Sequence, residues 1–292
     1  MTDAAVTSAA PRKRSKRARP RPDAWAWTGI TIVIVGLVLA VVGPWIAPFG
    51  VGNIVTTVYA QPDAQNLLGG DVLGRDLLSR LLHGARLTVG VALVATILGF
   101  VLGMAVGFSA AEIRGRYDDF ITWLIDVFLS FPPILLALIV IASLSSDLWV
   151  LVGTIAVIHS SRVARVGRAV AMNIAALEFV EVARARGEKL TSILVREIWP
   201  STIRPLAVEF GLRLTYSILF LSSLSFLGLG IQPPDADWGS MVRENMNAMQ
   251  NHAYIAVLAP AFAIAILTVG VNLIVDWLGA QSGRGISEEL TK

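Results

Sequence analysis

The chain of 292 residues is 55% hydrophobic and only 15% charged, with a mean hydropathy of +0.67. Soluble domains average about 45–50% apolar and about 25% charged, so the composition argues against an ordinary soluble domain, a disordered chain or a nucleic-acid-binding chain. The net charge is +3 and there is no cysteine, which excludes a disulfide scaffold, an iron–sulfur cluster and a cysteine zinc site; His83, His159 and His252 are too far apart to form a metal motif.

Residues 1–26 begin the chain with a basic run from Arg12 to Arg21 that holds seven of the 24 basic residues. A basic run before an apolar stretch can open a signal peptide, but the apolar stretch over 25–48 is too long for one. The expectation is an uncleaved first span with a cytoplasmic tail rather than a nucleic-acid-binding arm. Six apolar stretches follow in order, over 27–47, 88–110, 120–144, 148–171, 205–231 and 254–278. Each is near or above the ~20 residues that cross a bilayer as a helix. Backbone polar groups in lipid must be satisfied internally, and the runs lack the alternation of a barrel, so the fold class is all-α with six transmembrane helices. The organisation is a basic tail (1–26), a first span with an external segment (27–87), a membrane-spanning body (88–279) containing a cytoplasmic loop (172–204), and a short tail (280–292).

Counting Lys and Arg tests the orientation. With the amino terminus inside, nineteen basic residues fall on the cytoplasmic side, including Arg162, Arg165 and Arg168 near the inner end of span four. Four fall outside (Arg75, Arg80, Arg86 and Arg243), and Arg213 lies within span five. This asymmetry places both termini in the cytoplasm. The segment after the first span is then external, and it carries a turn-prone charged cluster from Asp71 through Gly74 and Arg75 to Asp76.

Within the spans, Gly99, Gly103 and Gly107 make a small-residue face on span two, which predicts close packing against another helix. Pro132 and Pro133 predict a kink or break in span three. Asp126, Glu209, Arg213 and Asp276 are ionisable groups in or near spans, where a structural pairing and a place in a transport path are both open. Glu209 and Arg213, spaced i,i+4, predict a pair on one helical face.

Residues 178–204 break the apolar pattern with five basic and four acidic side chains. Two apolar stripes survive there: Phe179, Val180 and Ala183, then Leu190, Ile193, Leu194 and Ile198 at helical spacing. Gly187 separates them and suits a positive-φ helix stop, and Pro200 and Pro205 are expected to close the second helix before span five. Two short amphipathic helices need a surface to bury their apolar faces. That surface is either the chain's own span ends or a cytoplasmic partner.

These residues resemble a known family. Glu181-Val182-Ala183, then Gly187, then Pro200 thirteen positions later resemble the EAA loop of the membrane subunits of ATP-binding-cassette importers. Val182 replaces an alanine of that pattern and Trp199 a leucine. The run Leu68-Gly69-Gly70-Asp71-Val72-Leu73-Gly74-Arg75-Asp76-Leu77-Leu78-Ser79-Arg80, with Gly84-Ala85-Arg86, resembles the external signature of the peptide/nickel class, more narrowly its C-type dipeptide and oligopeptide permeases. Leu224-Ser225-Phe226-Leu227-Gly228-Leu229-Gly230-Ile231-Gln232-Pro233-Pro234 with Trp238-Gly239 is similar to the end of span five in that class, although Ser222-Ser223 replaces the usual Glu-Ala.

The resemblance implies a type I importer transmembrane architecture. It also implies a second homologous permease, two cassette ATPase subunits and an extracytoplasmic substrate-binding protein as partners in the lipid bilayer, with no nucleic acid. Its coupling loop would use Glu181, Ala183, Arg184, Gly187, Leu190, Ile198 and Pro200. Its external signature would use Asp71, Gly74, Arg75, Asp76, Arg80 and Arg86. The cargo it implies is short peptides, with nickel chelates, glutathione and other small solutes as alternatives. The Walker pattern is absent, and no catalytic constellation is visible, so no cofactor is expected on this chain; ATP and magnesium would be held by partner subunits. The rival from another class is a self-sufficient secondary transporter or channel, which would need coupling-ion ligands near the membrane midplane.

Overall fold

A computed structural model describes residues 23–175, 182, 185–188, 192, 193 and 199–290. The helices are α1 (Ala24–Ile46), α2 (Leu77–Ile113), α3 (Gly115–Ser130), α4 (Pro133–Ser143), α5 (Leu148–Ala175), α6 (Trp199–Phe226), α7 (Trp238–Glu244) and α8 (Tyr254–Leu290), with a 3-10 turn at Met246–Asn251. Five of them, α1, α2, α5, α6 and α8, contain stretches long and apolar enough to cross a membrane, and α3 with α4 reaches that length only as a pair bent by 87°. Five of the six expected spans are therefore continuous helices, and the third is a bent helix pair, a broken span or a re-entrant loop. The bundle end that carries residues 47–76 and α7 is called the cap; the end that carries residues 182–188 is called the elbow.

The break follows from two prolines. Phe131 and Pro132 take extended backbone, as residues before a proline do, and Pro133 starts α4 at the position where a missing N–H costs least. The chain turns there instead of kinking.

Helix α2 is the hub. It lies along α5 and also packs on α1 and α6. The approach to α5 is close because of its glycines. A β-carbon at Gly99 would stand 2.7 Å from the Ala156 carbonyl oxygen, and one at Gly103 would stand 2.6 Å from that of Ser160. One at Gly107 would run into the carbonyl of Ala164. With no lipid-excluding force between helices, such backbone proximity is how membrane helices gain dispersion contacts. Helix α1 presents its own small stripe, Gly29, Gly36, Ala40 and Gly43, to α8 and α2, and its larger side chains face outward. Hydroxyl bridges tie α6 into the bundle: Thr96 Oγ1 donates to Ser217 Oγ at 2.8 Å, and Thr215 Oγ1 donates to Asn272 Oδ1 at 3.1 Å.

Several boundaries differ from expectation. Helix α2 starts at Leu77, not at residue 88, because Leu77, Ser79, Arg80 and Ala85 are buried under the cap and the arginine is neutralised there. A hydropathy reading stops at such charges. Pro200 and Pro205 lie inside α6 rather than closing an earlier helix; Pro200 sits in the first turn, where its absent N–H has no partner to lose. Helix α6 ends at Phe226, before Gly228 turns to positive φ, and α8 runs on to Leu290.

Candidate functional site

The charged signature folds into one buried knot at the cap. Asp71 is fully buried. Its Oδ1 accepts the backbone N–H groups of Leu73 at 2.8 Å and Arg75 at 2.9 Å. Its Oδ2 accepts Arg75 Nε at 2.6 Å and Arg80 Nη1 at 2.5 Å. Glu244, at the end of α7, receives Arg75 Nη2 at 2.6 Å and Arg80 Nη1 at 2.7 Å through one oxygen. Two cations and two anions thus cancel inside a nearly dry site. Asn245 Oδ1 accepts the Val72 N–H at 3.0 Å and adds a neutral clasp. Burial drives the Asp71 carboxyl upward, but the Arg75 N–H and the Arg80 guanidinium outweigh it; Glu244 is likewise pushed up by burial and pulled down further by Arg80 and Arg75. Both carboxyls end below their ordinary values.

The remaining signature residues divide. Asp76 caps α2, with its Oδ2 accepting Ser79 N at 2.8 Å and Ser79 Oγ at 2.6 Å. Gly74 has φ +75° and lies on the Thr56 carbonyl, where a side chain has no room. Arg86 stands apart, lining a cavity of about 240 Å³ with His83, Asp235 and Val51. Sequence reading missed Glu244 and Asn245. The available signal was charge balance: buried external arginines need an acid, and the segment between the last two spans contains Glu244.

A second group of charges lies between α3, α5 and α6. Arg168 forks onto Asp118 through two bonds of 2.5 Å. Arg165 pairs with Asp126, and both side chains remain more than half exposed. Glu209 and Arg213 form the expected i,i+4 pair at 2.8 Å, almost fully buried, and the Arg213 guanidinium lies 5.0 Å from the Tyr216 ring centroid. His159 is buried edge-on to Phe220 at 6.0 Å. Asp276 is exposed on α8, with no ion pair among the described residues. Of the four intramembrane charges singled out in the sequence, the structure pairs three.

At the elbow, Gly187 has φ +74°, and the turn before it is closed by Arg186 N donating to Val182 O at 3.0 Å. Arg186 and Glu188 pair at 2.9 Å, and Ser192 Oγ donates to Glu188 Oε2 at 3.0 Å. Ile193 is only 3% exposed and packs among Met104, Phe108, Val163 and Leu206, whereas Val182 is 54% exposed. Pro200 lies in α6. Glu181, Ala183, Arg184, Leu190 and Ile198 lie outside the described residues.

Comparison with known proteins agrees with this architecture. Residues 99–288 match the model of the family described as binding-protein-dependent transport system inner membrane component. A permease provisionally assigned to a peptide transport system of Brucella suis is 34% identical over 252 residues, covering 86% of this chain and 84% of that one. The glutathione transport system permease GsiD of an Escherichia coli O6 strain is 35% identical over 253 residues, covering 86% and 83%. Among solved structures, the inward-facing MetNI methionine ABC transporter aligns with a TM-score of 0.51 at 19% identity, over 66% of this chain and 96% of that one, a likeness of fold. The chain is a multi-pass membrane protein, and it belongs to the family of binding-protein-dependent transport system inner membrane components.

Proposed function

We propose that this chain is the permease subunit of an ATP-driven importer that carries short peptides, or glutathione as the second cargo, across the cytoplasmic membrane by alternating access. The similarity to peptide and glutathione permeases over 86% of the chain supports the cargo reading. The cap faces outward, toward an extracytoplasmic binding protein, and both termini and the elbow face the cytoplasm. A second homologous permease completes the path. Two cassette ATPases hold ATP and magnesium, and this chain performs no catalysis of its own.

The observation that carries the mechanism is the divided elbow. Ile193 is seated in the core formed by the ends of α2, α5 and α6, while Val182 is left bare. A segment anchored on one side and open on the other can receive a push from an ATPase and pass it to three spans. Glu181, Ala183, Arg184, Gly187, Leu190, Ile198 and Pro200 are proposed as the coupling residues. In the outer cap, the Asp71–Arg75–Arg80 knot with Asp76, Gly74 and Arg86 is proposed as the rigid rim on which the binding protein lands.

The test is reconstitution of the complex with its ATPases. Gly187→Trp and Glu181→Lys are expected to cut ATP-driven dipeptide uptake about tenfold, which is ~1.4 kcal/mol of lost coupling, while the complex still assembles. Normal uptake with unchanged stimulation of ATPase activity in both variants would remove the lever role.

A further inference from the structure

Two independent features meet halfway along α5. The first is Arg162. At ~1.5 Å per residue it lies about 21 Å from the cap end of α5 and about 20 Å from the other end. It is exposed, and it makes no ion pair among the described residues. The charge count grouped Arg162 with the cytoplasmic side, but it lies well within the candidate span Leu148–Ile174, where a cation faces protein or water rather than hydrocarbon. The second is the break between α3 and α4 at Phe131 and Pro132. Non-helical backbone at membrane depth is tolerated where protein buries it or where it lines a water-filled passage. Phe128, Phe131, Pro133, Leu136, Ser161 and Arg162 line one cleft, so the guanidinium and the bent helix pair share a surface.

The surroundings fit an anion that comes and goes. The cleft itself holds about 10 Å³, room for a single water, so a larger guest rests at its mouth on the exposed guanidinium. The neighbouring acids are already committed: Asp126 to Arg165, Asp118 to Arg168 and Glu209 to Arg213. Arg162 is left exposed and without an ion pair among the described residues, in a fork geometry that matches a carboxylate.

We propose that Arg162, at the mouth of the α3–α4 break, is a transient station for the free carboxylate of the cargo as it crosses. This rests on the permease reading above. A carboxylate is the chemistry common to a dipeptide and glutathione.

The absence of cysteine makes the test direct. Phe131→Cys, 52% exposed beside Arg162, supplies a single thiol in this chain. In the reconstituted complex, an anionic methanethiosulfonate should modify it. Alanyl-alanine or glutathione, delivered with the binding protein and ATP, should slow that modification about tenfold, the equivalent of one charge-assisted contact. The carboxyl amide of alanyl-alanine should not. Adding Arg162→Gln should abolish the protection, and Arg162→Lys should restore part of it in complexes recovered in equal yield.

A thiol that is never modified would mean that another chain or lipid covers the site, and would overturn the proposal. So would modification indifferent to cargo, or protection that survives Arg162→Gln. ATP-driven uptake by the unmodified complex is measured alongside. Failure of that uptake with both cargoes sinks the permease reading itself, whereas normal uptake without Arg162-dependent protection sinks only the station.

Discussion

The cap and the central face between α3 and α5 use the same side chains for opposite ends. At the cap, Asp71, Arg75, Arg80 and Glu244 balance one another's charge away from water, with Arg80 bonding through Nη1 alone. On the central face, Asp126 and Arg165 pair in the open and Arg162 has no ion-pair partner among the described residues. A closed charge set specifies one geometry; an open set leaves capacity for something that arrives. The difference teaches that the charge content of a membrane chain says little until its burial is known.

The comparison is broken most severely by removing one member of the closed set. Asp71→Ala leaves two buried arginines sharing Glu244 alone, and a loss of about 3–5 kcal/mol is expected, read as a large fall in the thermal midpoint of the purified protein. Glu244→Ala should do nearly as much, although no local motif marked it. Next comes the α2–α5 seam: Gly103→Leu must displace Val163 and the Ser160 carbonyl, at a cost of about 1–3 kcal/mol, visible in the same melt.

Acid sharpens the contrast. The folded Asp71 and Glu244 carboxyls titrate below their ordinary values, so their contribution is complete at neutral pH and is lost as pH falls from about 4 through those lower values. Amide exchange over residues 54–76, corrected for its intrinsic pH dependence, should accelerate in that window while the α2–α5 core stays protected. The smallest effect belongs to the open pair. Asp126→Ala and Arg165→Ala in a double-mutant cycle should show a coupling under about 1 kcal/mol, because solvent and salt screen both exposed groups.

Much of the bundle was legible because lipid demands continuous apolar runs, and residues 27–47 or 254–278 admit few other readings. The proline break and the glycine seam were legible for the same reason: each acts through the residues next to it. The start of α2 was not, because Arg80 and Arg86 look like an aqueous boundary until their surroundings are known. The Glu244 contact spans 164 positions to Arg80, and such a pairing leaves no periodicity to detect. At the elbow, the Gly187 turn could be read from a single residue, but the seat of Ile193 depends on three helices converging from distant parts of the chain.

Helix α2 has a further consequence. Its 37 residues reach about 55 Å, well beyond the ~30 Å of hydrocarbon. Arg80 near one tip is clamped into the carboxylate knot, while Met104, Phe108 and Ala111 toward the other share the pocket that grips Ile193. No proline interrupts the rod between them. One unbroken helix therefore joins the seat of Ile193 to the carboxylate knot, so the two ends of the bundle share a single continuous backbone.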